Sequence, residues 1–435
     1  MSIFQDVVCT FCGCLCDDLA VEVESNQIVK VKKACQNGRN KLLNVQSHIA
    51  SLRVNGQAAS LTDALDEAAR ILSKAQYPLV YGLSSTTTEA QREAIALTEL
   101  VGGTIDNPSS YRHGPGVIAR QQVGLASCTL GEVRNRADLL VFWGANSLES
   151  HLRHQVRYSA LAKGLFVPEG RKNRKVVVID VSPAAIAKQA DIFLQVTPDQ
   201  DFEIATVLRA LVKGLPLEGL GESGSVAGIP LERWQEIAEL MKTCRYGVVL
   251  FGLGLTMSRG KDLNVEQVLT LVQELNHFTR FSALPMPGHG NENGSNQVLA
   301  WQTGYPFAVN FGRGYPRYSP GEFSVIDLLS RREADAALII ATDPADHLPQ
   351  SAVQHLQSIP TIVLESQENL TASWANIVIP VAPAGIGVSG TFYRMDNVPL
   401  RVKKLIDFSC PTDVEVLRSI KERIADAKNY QRSNL

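Results

Sequence analysis

The chain has 435 residues, 45% of them hydrophobic and 20% charged, with a formal net charge of −2. Such a length holds roughly two to four domains with sizeable cores, and the composition is that of a globular protein. The near-neutral balance gives no electrostatic case for nucleic acid or an anionic membrane as partner. No apolar run approaches the ~18 residues of a bilayer span. The start, MSIFQDVVCT, lacks the charged lead and apolar core of a secretory signal, so the expected location is the cytoplasm.

Residues 9–16 read CTFCGCLC. With Cys35 added, Cys9, Cys12, Cys16 and Cys35 give the spacing C-x2-C-x3-C-x18-C. Cysteines clustered in a reducing compartment are metal ligands more often than disulfides. Three thiolates in one loop and a fourth from outside suit a [4Fe–4S] cube, one corner of which must be reached from beyond the loop. Zinc favours two paired knuckles, and Cys35 stands alone in KKACQNGR. Cys14 is one thiol too many for either metal. Iron–sulfur cluster, zinc and an empty loop all stay open on spacing alone. The stretch DDLAVEVESNQIVKVKKAC alternates apolar and polar residues about a turn at SNQ. This predicts a hairpin that carries Cys35 back beside the loop, and residues 1–50 form a small cysteine lobe. Cys128, Cys244 and Cys410 are scattered and read as buried thiols.

Beyond residue 50 the pattern changes. LTDALDEAARILSKA has helical spacing, and YPLVYGLSS follows as a buried strand. DLLVFWGAN, KVVVIDVSP, YGVVLFGLG, ADAALIIATDP, IPTIVLES and ANIVIPVAP are further short apolar strands. Helical stretches such as DFEIATVLRALVKG and NVEQVLTLVQELN lie between several of them. Strands alternating with helices predict parallel sheets in an α/β fold. In such sheets ligands sit beyond the carboxyl ends of the strands. Those ends carry Gly144 and Asn146, Asp180, Gly252 and Gly254, and Asp343. Glycine lets a phosphate approach the backbone, and an acidic residue can hold a ribose or purine edge. FGLGLT lacks the third glycine of a dinucleotide fingerprint. The set as a whole points to an extended phosphate-bearing ligand, or to a fold that once held one. EGRKNRKVVV at 169–178 reads as a solvated loop entering a strand. The Tyr-, Arg- and Pro-rich YPFAVNFGRGYPRYSPGE reads as the lining of a substrate channel or, as its composition favours, a partner interface.

Four blocks carry a family resemblance: CTLGEVRNRADLLVFWGAN (128–146), PGHGNENGSNQVLAWQTGYPFAVNFGRGYPRYSPGE (287–322), ATDPADHLP (341–349) and SGTFYRMDNVPLRVKK (389–404). The chain resembles the B subunit of formylmethanofuran dehydrogenase, within the molybdopterin oxidoreductases. The resemblance implies a small cysteine lobe followed by two Rossmann-like domains without a C-terminal β-barrel. Residues 51–136 with 286–420 would form a discontinuous α/β domain, and 137–285 an inserted one. It implies a [4Fe–4S] cluster on Cys9, Cys12, Cys16 and Cys35. It also implies a molybdopterin guanine dinucleotide with tungsten or molybdenum, contacted around Gly144, Asn146, Asp180, Gly252, Gly254, Asp343, Gly390 and Thr391. The family reaction interconverts carbon dioxide and formate.

One departure bears on that reaction. The family holds its metal with a cysteine in Cys-His-Gly-Pro, where this chain reads Arg112-His113-Gly114-Pro115. A guanidinium has no lone pair to give, keeps its charge, and cannot stand in for a soft thiolate. Arg112, His113 and His289 are then vestigial active-site positions. A similar B-type chain without the thiolate occurs in the bacterial formyltransferase/hydrolase complex of tetrahydromethanopterin-linked formaldehyde oxidation. The resemblance therefore implies partner subunits of the A, C and D type, a B-type chain without redox chemistry, and no bound molybdopterin guanine dinucleotide with tungsten or molybdenum. An active dehydrogenase component with unusual metal ligation is the alternative.

Overall fold

The computed structural model describes residues 1–217 and 224–433. It divides into two compact units. Unit 1 comprises Met1–Tyr111, His289–Arg394 and Pro399–Leu435; unit 2 comprises Arg112–Gly288 and Met395–Val398. Both are α/β. Among the described residues no sheet closes into a barrel, and no helix is long and apolar enough to cross a membrane.

Unit 1 opens with three antiparallel strands, Ser2–Val7, Leu19–Glu24 and Gln27–Lys32. The hairpin turns at Ser25 and Asn26, both with positive φ, the twist that suits a tight hairpin. The cysteine loop joins the first two strands. After the third, Cys35 becomes the N-cap of helix Gln36–Leu43, its Sγ accepting from the Gly38 N–H at 3.4 Å.

The main sheet of unit 1 has nine strands. Five central ones run parallel in the order Thr104–Asp106, Pro78–Gly82, Ala336–Ile340, Thr361–Glu365, Ile377–Pro380. Two-residue antiparallel strands extend each edge. Alternate side chains enter two cores. Val80, Leu338, Ile340 and Leu364 pack under the helices Leu61–Lys74 and Asp413–Ser433. Leu79, Tyr81, Ile339 and Val363 face the opposite core with Leu328 and Leu356. Burial on both faces is why these strands read as unbroken apolar runs.

Unit 2 is a five-stranded, wholly parallel sheet. Its order is Ile192–Gln195, Lys175–Asp180, Leu139–Trp143, Tyr246–Phe251, Arg280–Pro285. Numbered within the unit this is 3-2-1-4-5, a doubly wound sheet whose direction of winding reverses between Leu139–Trp143 and Tyr246–Phe251. That reversal opens a crevice beyond the carboxyl ends of those two strands. Helix Gly114–Val123 packs on Lys261–Leu275 and so belongs to this unit. Helix Leu130–Arg136 starts with a capping box of Thr129 and Glu132. It ends on the Arg174 guanidinium, which donates to the carbonyls of Val133, Arg134, Ala137 and Ala162. Arg174 is only 2% exposed. One cation of the EGRKNRK stretch, expected to be solvated, is therefore an interior cap.

Candidate functional site

Gly144 follows Trp143 with φ +55, and a Cβ there would lie 2.7–2.8 Å from the backbone of Gly254 and Leu255. A Cβ on Gly252 would meet the Gly144 carbonyl at 2.6 Å, and one on Gly254 would meet the Gly144 Cα at 2.6 Å. The Gly254 N–H donates to Gly144 O at 3.0 Å. The three glycines thus let two strand ends touch backbone to backbone at the point where the winding reverses. Their identity is fixed by that contact, whatever ligand lies beyond it.

Asn146 is the residue that points to a ligand. Its amide oxygen and nitrogen are both shut off from water, and neither has a hydrogen-bond partner in the chain. Leaving such groups unpaired costs about 1–3 kcal/mol each. Asp180, half-buried at the end of its strand, accepts the Ser182 N–H at 3.3 Å.

The same unit gathers three buried histidines. His113, on the N-cap of helix Gly114–Val123, has an unpartnered Nδ1. Burial, with Arg112 and Arg120 nearby, pulls its pKa down to about 4. His151 bonds the Pro287 carbonyl through Nε2 at 2.8 Å and Ser150 Oγ through Nδ1 at 2.8 Å. Burial lowers it to about 4. His154 meets Ser159 Oγ at 3.0 Å, leaves Nε2 unpartnered, and is lowered by burial to about 3. Gln155 Oε1 is a further orphan, while its amide nitrogen reaches Ser147 Oγ at 3.3 Å. All three imidazoles are neutral near pH 7, so they offer hydrogen bonds rather than charge. Sequence reading missed His151, His154 and Gln155; their only signal is the pair of histidines three apart in SHLRHQ.

Arg112 ends the short helix Ser109–Arg112, half-buried, and its carbonyl accepts from Thr256 Oγ1 at 2.8 Å. The cysteines of unit 2 stand at the other end of the sheet. Cys128 bonds Ser282 and Tyr246, near the strand starts. Cys244 lies two residues before the first residue of the strand Tyr246–Phe251. At about 3.3 Å per residue, the strand Tyr246–Phe251 puts roughly 20 Å between those thiols and the glycine crossing.

In unit 1 the hairpin delivers Cys35 as expected. A Cβ on Gly38 would lie 2.7 Å from Cys9 Sγ and 3.6 Å from Cys35 Sγ. The surplus Cys14 is 1% exposed and shares a thiol hydrogen bond with Cys12. Burial pushes Cys9 up to about 11. Lys41 donates to the Thr10 carbonyl at 3.2 Å, and burial draws its pKa down. Among the described residues, no three His, Cys, Asp or Glu side chains are arranged to hold a metal ion.

The remaining positions are engaged within the chain. The Asp343 carboxylate accepts the N–H groups of Leu370 and Thr371 and the Thr371 hydroxyl, at 2.9, 3.0 and 2.5 Å. The Thr391 N–H and hydroxyl both donate to Glu89 at 3.0 Å. A Cβ on Gly390 would come 2.6 Å from Thr87 Cγ2. His289 is half-buried, and its N–H reaches the buried Glu292 carboxylate at 3.4 Å.

No protein-family model matches the chain. Among curated proteins it is 45% identical to the B subunit of tungsten-containing formylmethanofuran dehydrogenase 2 of Methanocaldococcus jannaschii, covering 94% of each chain. The chain belongs to the family of formylmethanofuran dehydrogenase B subunits. The counterpart of the same name from Methanococcus maripaludis is 40% identical over 98% of this chain and 100% of its own length. The B subunit of the formyltransferase/hydrolase complex of Methylorubrum extorquens is 27% identical, over 86% and 96%. The solved structure of that complex with methylofuran matches with a TM-score of 0.72 at 25% identity, over 87% of this chain and 99% of the other. Acetylene hydratase from Pelobacter acetylenicus shares the fold at 14% identity, with a TM-score of 0.73 over 97% of this chain and 69% of its own. Identity is thus higher with the two dehydrogenase chains than with the chain of the formyltransferase/hydrolase complex.

Proposed function

We propose that this chain is the B subunit of a complex handling formyl groups on a methanofuran-type carrier, that its unit 2 crevice holds a pterin nucleotide, and that it performs no thiolate-dependent redox step. The observation that carries this reading is Arg112. A cation occupies the position where the family places the metal thiolate, and both other thiols of unit 2 lie at the far end of the sheet. Formyl transfer and hydrolysis then fall to A- and D-type partners.

The crevice fits a nucleotide on its own chemistry. Asn146 offers an unpaired donor and acceptor, His113 a neutral ring nitrogen, and the glycine crossing keeps side chains out of the backbone's way. Asp343, Gly390 and Thr391 enter as parts of the frame, since their polar groups are already matched. Cys9, Cys12, Cys16 and Cys35 would supply the thiolates for a [4Fe–4S] cluster. A tungsten or molybdenum pterin, when bound, would supply the exchange of electrons between carbon dioxide and formate. The identity with tungsten-containing relatives favours a second reading, an active dehydrogenase component with another metal ligand.

Metal content of the native complex separates the two. Iron near four per copy of this chain, without tungsten or molybdenum and without formate-dependent dye reduction, is the expected result. Stoichiometric tungsten or molybdenum would sink the non-redox reading. A second expectation concerns Asn146→Leu. An isosteric apolar side chain removes two orphaned groups, so at about 1–3 kcal/mol for each the cofactor-free chain gains about 2–6 kcal/mol. It melts several degrees higher, at roughly 2–4 °C per kcal/mol. The same variant retains no pterin nucleotide on purification. A lower melting temperature with nucleotide content unchanged would show that Asn146 serves the fold alone.

A further inference from the structure

Unit 2 displays an apolar patch that its own fold does not cover. Val156, Leu161, Leu165 and Phe166 are 62, 44, 76 and 50% exposed, four large apolar side chains within eleven residues. They do not belong to a loose loop. Ser159, Ala160, Ala162 and Val167, interleaved with them, are buried. The Phe166 N–H donates to the Asn135 carbonyl at 2.9 Å, and a Cβ on Gly164 would strike the Arg134 carbonyl at 2.0 Å. The apolar side chains therefore stand outward from an anchored backbone, which keeps the entropy cost of docking on them low.

The segment itself is basic. Residues 151–175 carry seven Lys or Arg and a single acidic residue, Glu169, in a chain whose net charge is −2. Arg174 ties the basic run to the apolar loop by donating to the Ala162 carbonyl at 3.0 Å. Arg136 lies over the Phe166 ring, 5.0 Å from its centroid. Among the described residues, Lys163, Lys172 and Lys175 form no ion pair. Lys172 and Lys175 also line a polar cleft of about 580 Å³ with Arg171, Asp138 and Asp191. An apolar centre with a charged rim is the anatomy of a protein–protein interface. Phosphate backbones would use the cations but gain nothing from four exposed apolar side chains.

We propose that residues 156–175 dock another component of the complex, one that presents an apolar centre ringed by Asp and Glu. The proposal rests on the reading as a complex subunit. The test co-expresses the full chain with its A-, C- and D-type partners. Leu165→Asp with Phe166→Asp, and separately Lys163→Glu with Lys172→Glu, are compared with the wild type. Leu263→Asp, a 50% exposed position on helix Lys261–Leu275, is the control. Both patch variants are expected to keep the wild-type melting temperature yet bind at least one partner about tenfold more weakly, the loss typical of interface anchors. The control is expected to assemble fully. A benzophenone amino acid placed at position 165 is expected to cross-link to one of the A-, C- or D-type partners. Full assembly of both patch variants would overturn the proposed surface, as would cross-linking to nucleic acid. A wild-type chain that purifies without any partner would overturn the complex reading itself.

Discussion

Acidifying the cofactor-free chain from about pH 7 to about pH 5 is expected to loosen unit 2 and leave unit 1 at least as firm. In unit 2 burial holds His113 and His151 at about 4 and His154 at about 3. In the unfolded chain a histidine titrates near 6.5. Their native pKa values are depressed, so below about pH 6.5 the unfolded state binds protons that the folded unit refuses. Each histidine then withdraws on the order of 2 kcal/mol by pH 5. The three together withdraw several kcal/mol, partly offset by Asp201, whose pKa burial raises. Unit 1 carries the opposite set. Burial lifts Asp106 and Glu365 to about 7 and Asp413 to about 6. Carboxyls raised in the folded state take up protons there first, so they add stability as pH falls from about 7 toward the unfolded carboxyl range near 4. Hydrogen exchange at the two pH values, corrected for intrinsic rates, reads the units separately. Protection should fall in peptides from the strands Leu139–Trp143 and Tyr246–Phe251 and hold in those from Pro78–Gly82 and Ala336–Ile340. Equal shifts in both sets would defeat the assignment.

Much of this architecture is legible in the sequence because strands buried on both faces cannot hide. DLLVFWGAN and YGVVLFGLG are apolar throughout and stop at glycine, so both the strand and its end are marked. The winding order is not marked, since helix crossovers set which strands become neighbours. The two-residue edge strands, such as Arg53–Val54 and Val309–Asn310, are too short to impose a period on their residues. Within the site, the glycines are found for a reason that proves incomplete. They permit a phosphate, but Gly144, Gly252 and Gly254 are also demanded by one another. Asp343 is found as a polar strand-end residue and Thr391 through the family resemblance, yet their partners lie 27 and 302 residues away in the chain. Sequence spacing carries no trace of that pairing. Arg174 is hidden for the converse reason: an interior cap that serves four carbonyls looks, in EGRKNRK, like one more solvated cation.

Trp143 joins that fold to the crevice, and its truncation should be the most damaging of the single changes. It is the last residue of its strand, wholly buried, and immediately precedes Gly144. Its indole N–H donates to Asp201 Oδ1 at 2.8 Å, at the first residue of helix Asp201–Lys213. Asp201 Oδ2 accepts from Ser258 Oγ at 2.9 Å, and Ser258 Oγ accepts from Asn264 Nδ2 at 2.8 Å. The chain of bonds thus runs from the first strand of the reversal to the loop after the second. Trp143→Ala opens a large cavity and strips a donor from a buried carboxylate, at a cost of about 3–5 kcal/mol. That corresponds to roughly 10 °C in melting temperature. Trp143→Phe keeps most of the volume and loses the donor, so about 1–3 kcal/mol is expected. Because Gly144 moves with the strand end, the phenylalanine variant should lose bound nucleotide out of proportion to its small stability loss. Thermal melts with nucleotide content, measured on both variants, check this. If Trp143→Phe keeps its full nucleotide content, the Asp201 bond supports the core without positioning the crevice.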